Sequence, residues 1–201
     1  MFTGLIAATA ALVRLEKTNR PVLTVRAILD KPLAVGDSLA VNGVCLTLID
    51  KKKDLLRFNL AAPTLRLSNL QDLPAGAALN IEFPVAANGL LGGHLVSGHI
   101  DGTVRVRALN KGDQNSRLLF SFSEQEWKKF IILRGSVALN GVSLTVAEIK
   151  DTWFAVEAIP QTLATTNLKF LKIGQRVNLE LDLIGKYLYN FYLTKKAGYH
   201  R

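Results

Sequence analysis

The chain contains one sequence pattern twice. Val41-Asn42-Gly43-Val44-Cys45-Leu46-Thr47 returns as Leu139-Asn140-Gly141-Val142-Ser143-Leu144-Thr145, an offset of 98 from Asn42 to Asn140. The offset then holds without a gap. Thr64-Leu65 meets Thr162-Leu163, Asn69-Leu70 meets Asn167-Leu168, Gly76 meets Gly174, and Asn80-Ile81-Glu82 meets Asn178-Leu179-Glu180. The beginning repeats at an offset of 94, where Thr3-Gly4-Leu5-Ile6 meets Ser97-Gly98-His99-Ile100. Solenoid units repeat every 20–50 residues or so. A period this long is a whole small domain, duplicated, so two alike sites are expected, with added chemistry where the copies differ.

A length of 201 residues suits two such domains, each with its own modest core. Hydrophobic content of 49% and charged content of 20% are those of a globular chain. No apolar run approaches the roughly 18 residues of a membrane span, and no secretory signal is expected at the start. A single cysteine excludes an internal disulfide framework and points to a reducing compartment, hence a cytoplasmic location. The net charge of +9 raises the question of nucleic acid. There is no arginine-rich tract and no RNA-binding aromatic motif, so a solvated basic surface is the better reading.

Strand signals dominate. Short β-branched or alternating runs lie at 22–27, 38–41, 45–49, 55–60 and 79–83, separated by turn signals at 19–21, 35–37, 42–43 and 74–76. Many short strands with turns every 8–12 residues predict an all-β sandwich or barrel, and the Asn-Gly pairs suit hairpin turns. Short helices are predicted over 63–70 and 161–168, and a helix start at Ser123 with Glu126 at capping-box spacing. The join between copies falls near 86–89. This sets domains at 1–88 and 89–183, with a tail, 184–201, that has no counterpart in the first copy. In that tail Ile184, Tyr187, Leu188 and Phe191 share a helical face. Either the helix docks on its own domain or the stripe is an oligomer contact.

The chain lacks the usual chemical motifs. His94 and His99 are five apart and His200 is in the tail, which is not a zinc spacing. Gly92-Gly93-His94 matches neither the Walker loop nor GxGxxG, and GxSxG is absent. What remains is the difference between copies. Cys45 stands where the second copy has Ser143, Leu5 where it has His99, and Pro84 where it has Asp182. Cys45 and Ser143 are potential nucleophiles, His99 can exchange protons near neutral pH, and Asp182 can support it. The alternatives are a buried Cys45, a Ser143 and Thr145 bonded to backbone, and an Asp182 that caps the tail helix.

Together these residues resemble the riboflavin synthase family, α-subunit type. The resemblance covers nearly the whole chain. It includes Met1-Phe2-Thr3-Gly4, the run from Gly36 to Thr47, the run from Gly92 to Gly102, and the run from Ala138 to Thr145. It implies two similar six-stranded Greek-key barrels and a C-terminal helix that gathers three subunits. It also implies a dismutation. Two molecules of 6,7-dimethyl-8-ribityllumazine react, one gives the other a four-carbon unit, and the products are riboflavin and 5-amino-6-(ribitylamino)uracil. No metal or cofactor is implied, and association with lumazine synthase is a further implied partnership.

Carried onto this chain, the first pocket would use Cys45, Leu46 and Thr47. Asn59, Leu60, Ala61, Ala62, Pro63 and Thr64 would complete it. The second would use Ser143, Leu144 and Thr145 with Arg134. Its far wall would be Glu157, Ala158, Ile159, Pro160, Gln161 and Thr162. Either Gly4, Leu5 and Ile6 or their counterparts Gly98, His99 and Ile100 would serve the second pocket; which strand serves which pocket is left open. His99 is the expected acid–base group, Ser143 and Cys45 are candidates to activate water or add to the substrate, and Asp182 supports them. Phe2 is expected to cover a ring near a subunit boundary. The chain departs from the family pattern at Pro63, Leu67, Arg134 and Phe83-Pro84-Val85.

Overall fold

The computed structural model describes residues 1–110, 112 and 115–196; His200 and the last residues of the tail lie outside them. In the first copy, β1 (Ala8–Glu16), β2 (Val22–Arg26), β3 (Ser38–Val41), β4 (Val44–Lys52), β5 (Leu55–Asn59) and β6 (Ala78–Glu82) close into one antiparallel barrel. In the second, β7 (Gly102–Asn110), β8 (Ser116–Ser121), β9 (Ser136–Leu139), β10 (Val142–Ile149), β11 (Trp153–Ala158) and β12 (Arg176–Leu181) do the same. The strand order is β1-β2-β5-β4-β3-β6 in one and β7-β8-β11-β10-β9-β12 in the other, the same path through both. The fold is therefore the all-β two-barrel arrangement that the duplication and the resemblance predict.

Local chemistry explains the closure. Asn42 and Gly43 sit at φ 50 and 79, and Asn140 and Gly141 at φ 47 and 79. Two successive left-handed residues make the turn that matches strand twist, which is why Asn-Gly occupies both hairpins. Register shifts fall at matching places, in β1 and β4 of one barrel and in β7 and β10 of the other. Such bulges bend and twist the strand and help a sheet curl onto itself. Alternation then fills each barrel: Val44, Leu46 and Leu48 face inward along β4 while Cys45 and Thr47 face out. Strand β1, over an alanine-rich stretch with little strand propensity, is held by pairing with β2 and β6.

Two short helices follow the fifth strand of each barrel, α1 (Ala62–Leu67) and α2 (Pro160–Thr165), each with proline in its first turn, where the missing N–H does no harm. The expected helix at Ser123 is only a 3-10 turn over Gln125–Lys129. Ser123 does not cap it; its hydroxyl instead reaches the Glu124 carboxylate.

The barrels meet through six asparagines, three from each copy, all buried. Asn42 Oδ1 accepts from the Asn80 backbone N–H at 2.8 Å and from Asn167 Nδ2 at 2.9 Å. Asn140 Oδ1 accepts from the Asn178 N–H at 2.9 Å and from Asn69 Nδ2 at 3.1 Å. Asn80 Nδ2 donates to the Asn140 carbonyl, and Asn178 Nδ2 to the Asn42 carbonyl. Each bond has a mate under exchange of the copies, so the interface is pseudo-two-fold. At its centre the two hairpins touch: a Cβ on Gly43 would lie 2.7 Å from Gly141 N. The repeated asparagines, read in the sequence as marks of duplication and, at Asn42 and Asn140, as hairpin turns, join the halves.

Phe2 belongs to this interface. It is fully buried with Ala40, Val96 and Ala138, and its backbone pairs with Val96. The expectation that it covers a ring at a subunit boundary is corrected: within one chain there is no surface left on it to do so.

Helix α3 (Leu183–Lys196) is started by Asp182, whose Oδ1 accepts from the Ile184 N–H at 2.9 Å. Lys186 pairs with Asp101 at 2.6 Å, and Tyr189 meets Phe130 edge-on at 5.3 Å. These contacts face the second barrel. The stripe of Ile184, Tyr187, Leu188 and Phe191 does not; all four are more than half exposed. The helix thus docks on its own domain by another face, and the stripe is left uncovered.

Candidate active sites

The two barrels exchange their leading segments. The segment before β1 crosses to the second barrel, where the Gly4 carbonyl accepts from the Ser143 N–H at 2.9 Å and Ile6 packs on the second core. The segment before β7 crosses to the first, where the Gly98 carbonyl accepts from the Cys45 N–H at 2.9 Å and Ile100 packs on the first core. The pairing left open by the sequence is thus resolved: Gly98, His99 and Ile100 adjoin Cys45, while Gly4, Leu5 and Ile6 adjoin Ser143. Only glycine fits the two crossings. Gly4 and Gly98 hold φ 79 and 83, and a Cβ on either would lie 2.5 Å from the Cβ of Ser143 or Cys45.

The first site is an open hollow of about 180 Å³ on the outside of the first barrel. Cys45 forms its floor, the exposed His99 and the half-buried Ile100 one wall, and Pro63, Thr64 and Leu67 of α1 the other. Leu67 offers apolar surface here, and Pro63 belongs to the first turn of α1. Thr47 is exposed on the same outward face as Cys45, whereas Leu46 and Leu60 point into the core and can offer a ligand only backbone. Asn59, Ala61 and Ala62 are exposed around the start of α1.

The second site differs because a linker covers it. Gly92 and Gly93 lie against Leu5 and Ser143, and they bring His94 down so that Nδ1 is 2.7 Å from Ser143 Oγ. His94 is buried, and its Nε2 has no hydrogen-bond partner among the described residues. Burial lowers its pKa below the ordinary histidine value, and the Asp182 carboxylate offsets this only in part. The imidazole is therefore neutral at pH 7 and can take a proton from Ser143 when the Nε2–H tautomer is present. Sequence reading passed over His94 because it was tested only for metal spacing; its place beside a strand nucleophile is tertiary.

Other expected residues fall as follows. His99, the expected acid–base group, lies with Cys45 and not with Ser143 and Asp182. Thr145 is exposed beside Ser143, while Leu144 and Ala158 are core residues. Ile159 is exposed and precedes α2, which carries Pro160, Gln161 and Thr162 in its first turn. Glu157 is engaged at 3.8 Å by Arg117. Arg134 is exposed at φ 63, the left-handed place that Gly36 fills in the first copy at φ 98. A side chain held there costs about 1–2 kcal/mol in backbone strain. Asp182 combines two tasks, capping α3 and placing its charge near His94.

A larger cavity, about 690 Å³, lies between the barrels, with Asn42, Asn140 and Asn167 at its floor and Arg105, Lys172 and Arg176 around it. None of Cys45, Ser143, His94 or His99 lines it. Among the described residues no cluster of His, Cys, Asp and Glu could hold a metal ion, and no helix is long and apolar enough to cross a membrane.

Comparison with known proteins agrees with this geometry. The Lumazine binding domain family matches twice, over residues 3–84 and 97–182. The chain is 38% identical to a riboflavin synthase of Actinobacillus pleuropneumoniae over 199 residues, covering 98% of this chain and 92% of that protein. It is 39% identical to a riboflavin synthase of Escherichia coli strain K12 over 186 residues, covering 90% and 87%. Among solved structures, LumP complexed with 6,7-dimethyl-8-(1'-D-ribityl) lumazine has the same fold, with a TM-score of 0.82 at 21% identity over 90% of this chain and 99% of that one.

Proposed function

The chain belongs to the riboflavin synthase family, and on that premise we propose that it converts two molecules of 6,7-dimethyl-8-ribityllumazine into riboflavin and 5-amino-6-(ribitylamino)uracil by transfer of a four-carbon unit. The observation that carries this reading is the reciprocal exchange. It yields two related outward-facing sites, one floored by Cys45 and the other by Ser143 with a neutral histidine at 2.7 Å. A reaction between two copies of one compound needs two like sites with unlike chemistry. Holding both rings in place replaces a bimolecular encounter by a positioned one, a gain of about 7–11 kcal/mol at best.

The chemistry follows from the substrate. The methyl group on C7 of the lumazine is acidic, because the ring delocalises the anion left by proton loss. One molecule must lose that proton, and its partner must accept a nucleophile at C7 before carbon–carbon bonds form. Ser143, with His94 accepting its proton, is suited to activate water or add to C7 in the second site. Cys45 and His99 are the corresponding groups of the first site. Asp182 supports the imidazolium that forms when His94 takes a proton. The reading extends to assembly. Both sites face outward, and a ring of three subunits, joined in part by the exposed stripe of α3, would bring a first site against a neighbour's second site. The free thiol of Cys45 supports a cytoplasmic location.

The test is an assay with 6,7-dimethyl-8-ribityllumazine as sole substrate, following riboflavin absorbance and the pyrimidine product. Equal amounts of both products are expected. Replacement of His94 by Gln is expected to lower kcat by about 10²–10⁴-fold, the usual share of a general base. Binding of the lumazine without turnover would refute the enzyme reading.

A further inference from the structure

Two buried carboxylates remain outside this chemistry, and they occupy equivalent places. Glu82 ends β6 and Glu180 lies near the end of β12; neither is more than 4% exposed. No cation lies within ion-pair distance of either among the described residues. Each instead accepts hydrogen bonds from an exchanged segment. Glu82 Oε1 accepts from the Thr3 N–H at 2.7 Å and the Thr3 hydroxyl at 2.8 Å, and both its oxygens accept from the Gly4 N–H at 3.1 Å. Glu180 Oε1 accepts from the Ser97 N–H at 2.6 Å and the Ser97 hydroxyl at 2.7 Å, and Oε2 accepts from the Gly98 N–H at 3.0 Å. The hydroxyls in turn accept from the next segment residues, Thr3 from the Leu5 N–H and Ser97 from the His99 N–H.

We propose that Glu82 and Glu180 are positioning residues acting across the barrel boundary: Glu82, on the first barrel, holds the segment that completes the Ser143 site on the second, and Glu180, on the second, holds the segment that completes the Cys45 site on the first. The chain of contacts is short. Glu180 grips the Gly98 N–H, and the Gly98 carbonyl grips the Cys45 N–H. Glu82 grips the Gly4 N–H, and the Gly4 carbonyl grips the Ser143 N–H. A carboxylate is the group this place needs. Its two oxygens are acceptors only, and every neighbour that faces them is a donor. An amide would turn one NH₂ toward an N–H and push the segment off. Burial raises the pKa of both acids against the pull of these bonds and, at Glu180, of the Lys186 charge. Each site is thereby built by both barrels, and neither barrel has a complete site alone.

The inference rests on reading the Cys45 hollow and the Ser143 site as the lumazine sites, but its test does not. Cys45 is the chain's only cysteine, so its alkylation by iodoacetamide reports on the first site alone. In a Cys45→Ser, Ser143→Cys background, the thiol reports on the second; cysteine already fills the equivalent place in the other copy. Glu180→Gln is expected to speed alkylation at 45 by roughly tenfold, as the opening of one buried hydrogen bond would. At 143 it is expected to change the rate by less than about twofold. Glu82→Gln should show the reverse pattern. Each variant loosening the thiol of its own barrel, or both thiols equally, would overturn the proposal. Should a glutamine variant fail to fold, Ser97→Ala and Thr3→Val remove one bond from each clamp and must show the same crossed pattern. Added 6,7-dimethyl-8-ribityllumazine separates the two readings. A crossed pattern with no lumazine protection of Cys45 would retain the clamps and remove the site assignment.

Discussion

Replacement of Gly98 by alanine should be far more damaging than the same change at Gly36, though both glycines have positive φ. Gly36 sits at φ 98 with nothing within 4 Å of a would-be Cβ. Its alanine variant bears only the left-handed backbone penalty, about 1–2 kcal/mol. Gly98 sits at φ 83, and its Cβ would lie 2.5 Å from Cys45 Cβ and 2.9 Å from Cys45 N. The same penalty of about 1–2 kcal/mol applies. The contact with Cys45 adds about 1–3 kcal/mol of overpacking. If the segment lifts to relieve it, the bond from the Cys45 N–H is lost, about 1 kcal/mol more. The gap between the two variants is therefore about 2–4 kcal/mol. At this chain length each kcal/mol lowers Tm by about 2–4 °C, so calorimetry resolves the difference. Fluorescence titration with the lumazine gives a second readout: affinity should fall in Gly98→Ala and hold in Gly36→Ala. Equal loss of stability in both variants would refute the close-approach argument, since the backbone term alone would then suffice.

Three further outcomes follow from other parts of the fold. Asn140→Ala strands the buried Asn178 N–H and takes one of two bonds from the Asn69 amide, which still donates to the Arg176 carbonyl, and should destabilise the chain by about 1–3 kcal/mol in urea unfolding; a loss below about 1 kcal/mol would show that the asparagine lock contributes little. The pH dependence should have two windows of opposite sign. His94 has a lowered native pKa, so the unfolded chain binds its proton first as pH falls below 6.5, and stability should drop from there toward the native value. Glu82 and Glu180 have raised native values, so their contribution is fullest at low pH and is lost as pH rises from 4.5 through those values. Thermal unfolding across this range should lose the first window in His94→Gln and keep the second; an unchanged profile would contradict the burial argument. Finally, Tyr187→Ser with Phe191→Ser removes apolar surface from the exposed stripe of α3, and light scattering should then report a smaller assembly at unchanged barrel stability. An unchanged mass would exclude that stripe as the contact.

Much of this protein is legible in its residues. The 98-residue offset determines two alike domains, and the alternation of strand runs with Asn-Gly turns determines that they are β and short-stranded, because side-chain period and left-handed turn positions are local properties. The differences between copies bring Cys45, Ser143, His99 and Asp182 into view. Tertiary structure alone decided how these combine. Whether the segment before a barrel serves that barrel or the other depends on competition between two nearly equal surfaces, and local sequence carries no mark of it: Gly4-Leu5-Ile6 and Gly98-His99-Ile100 are alike by descent. That exchange moves His99 to Cys45 and leaves Ser143 to His94. The repeated Asn42, Asn69 and Asn80, with Asn140, Asn167 and Asn178, mark the duplication in sequence, yet their bonds between the barrels span 60 to 136 residues of chain. Glu82 and Glu180 enter the sequence only as marks of the duplication, and the tertiary structure alone shows them buried against the exchanged segments. Periodicity determines which face of a strand is wet; what comes to cover that face is decided by the rest of the molecule.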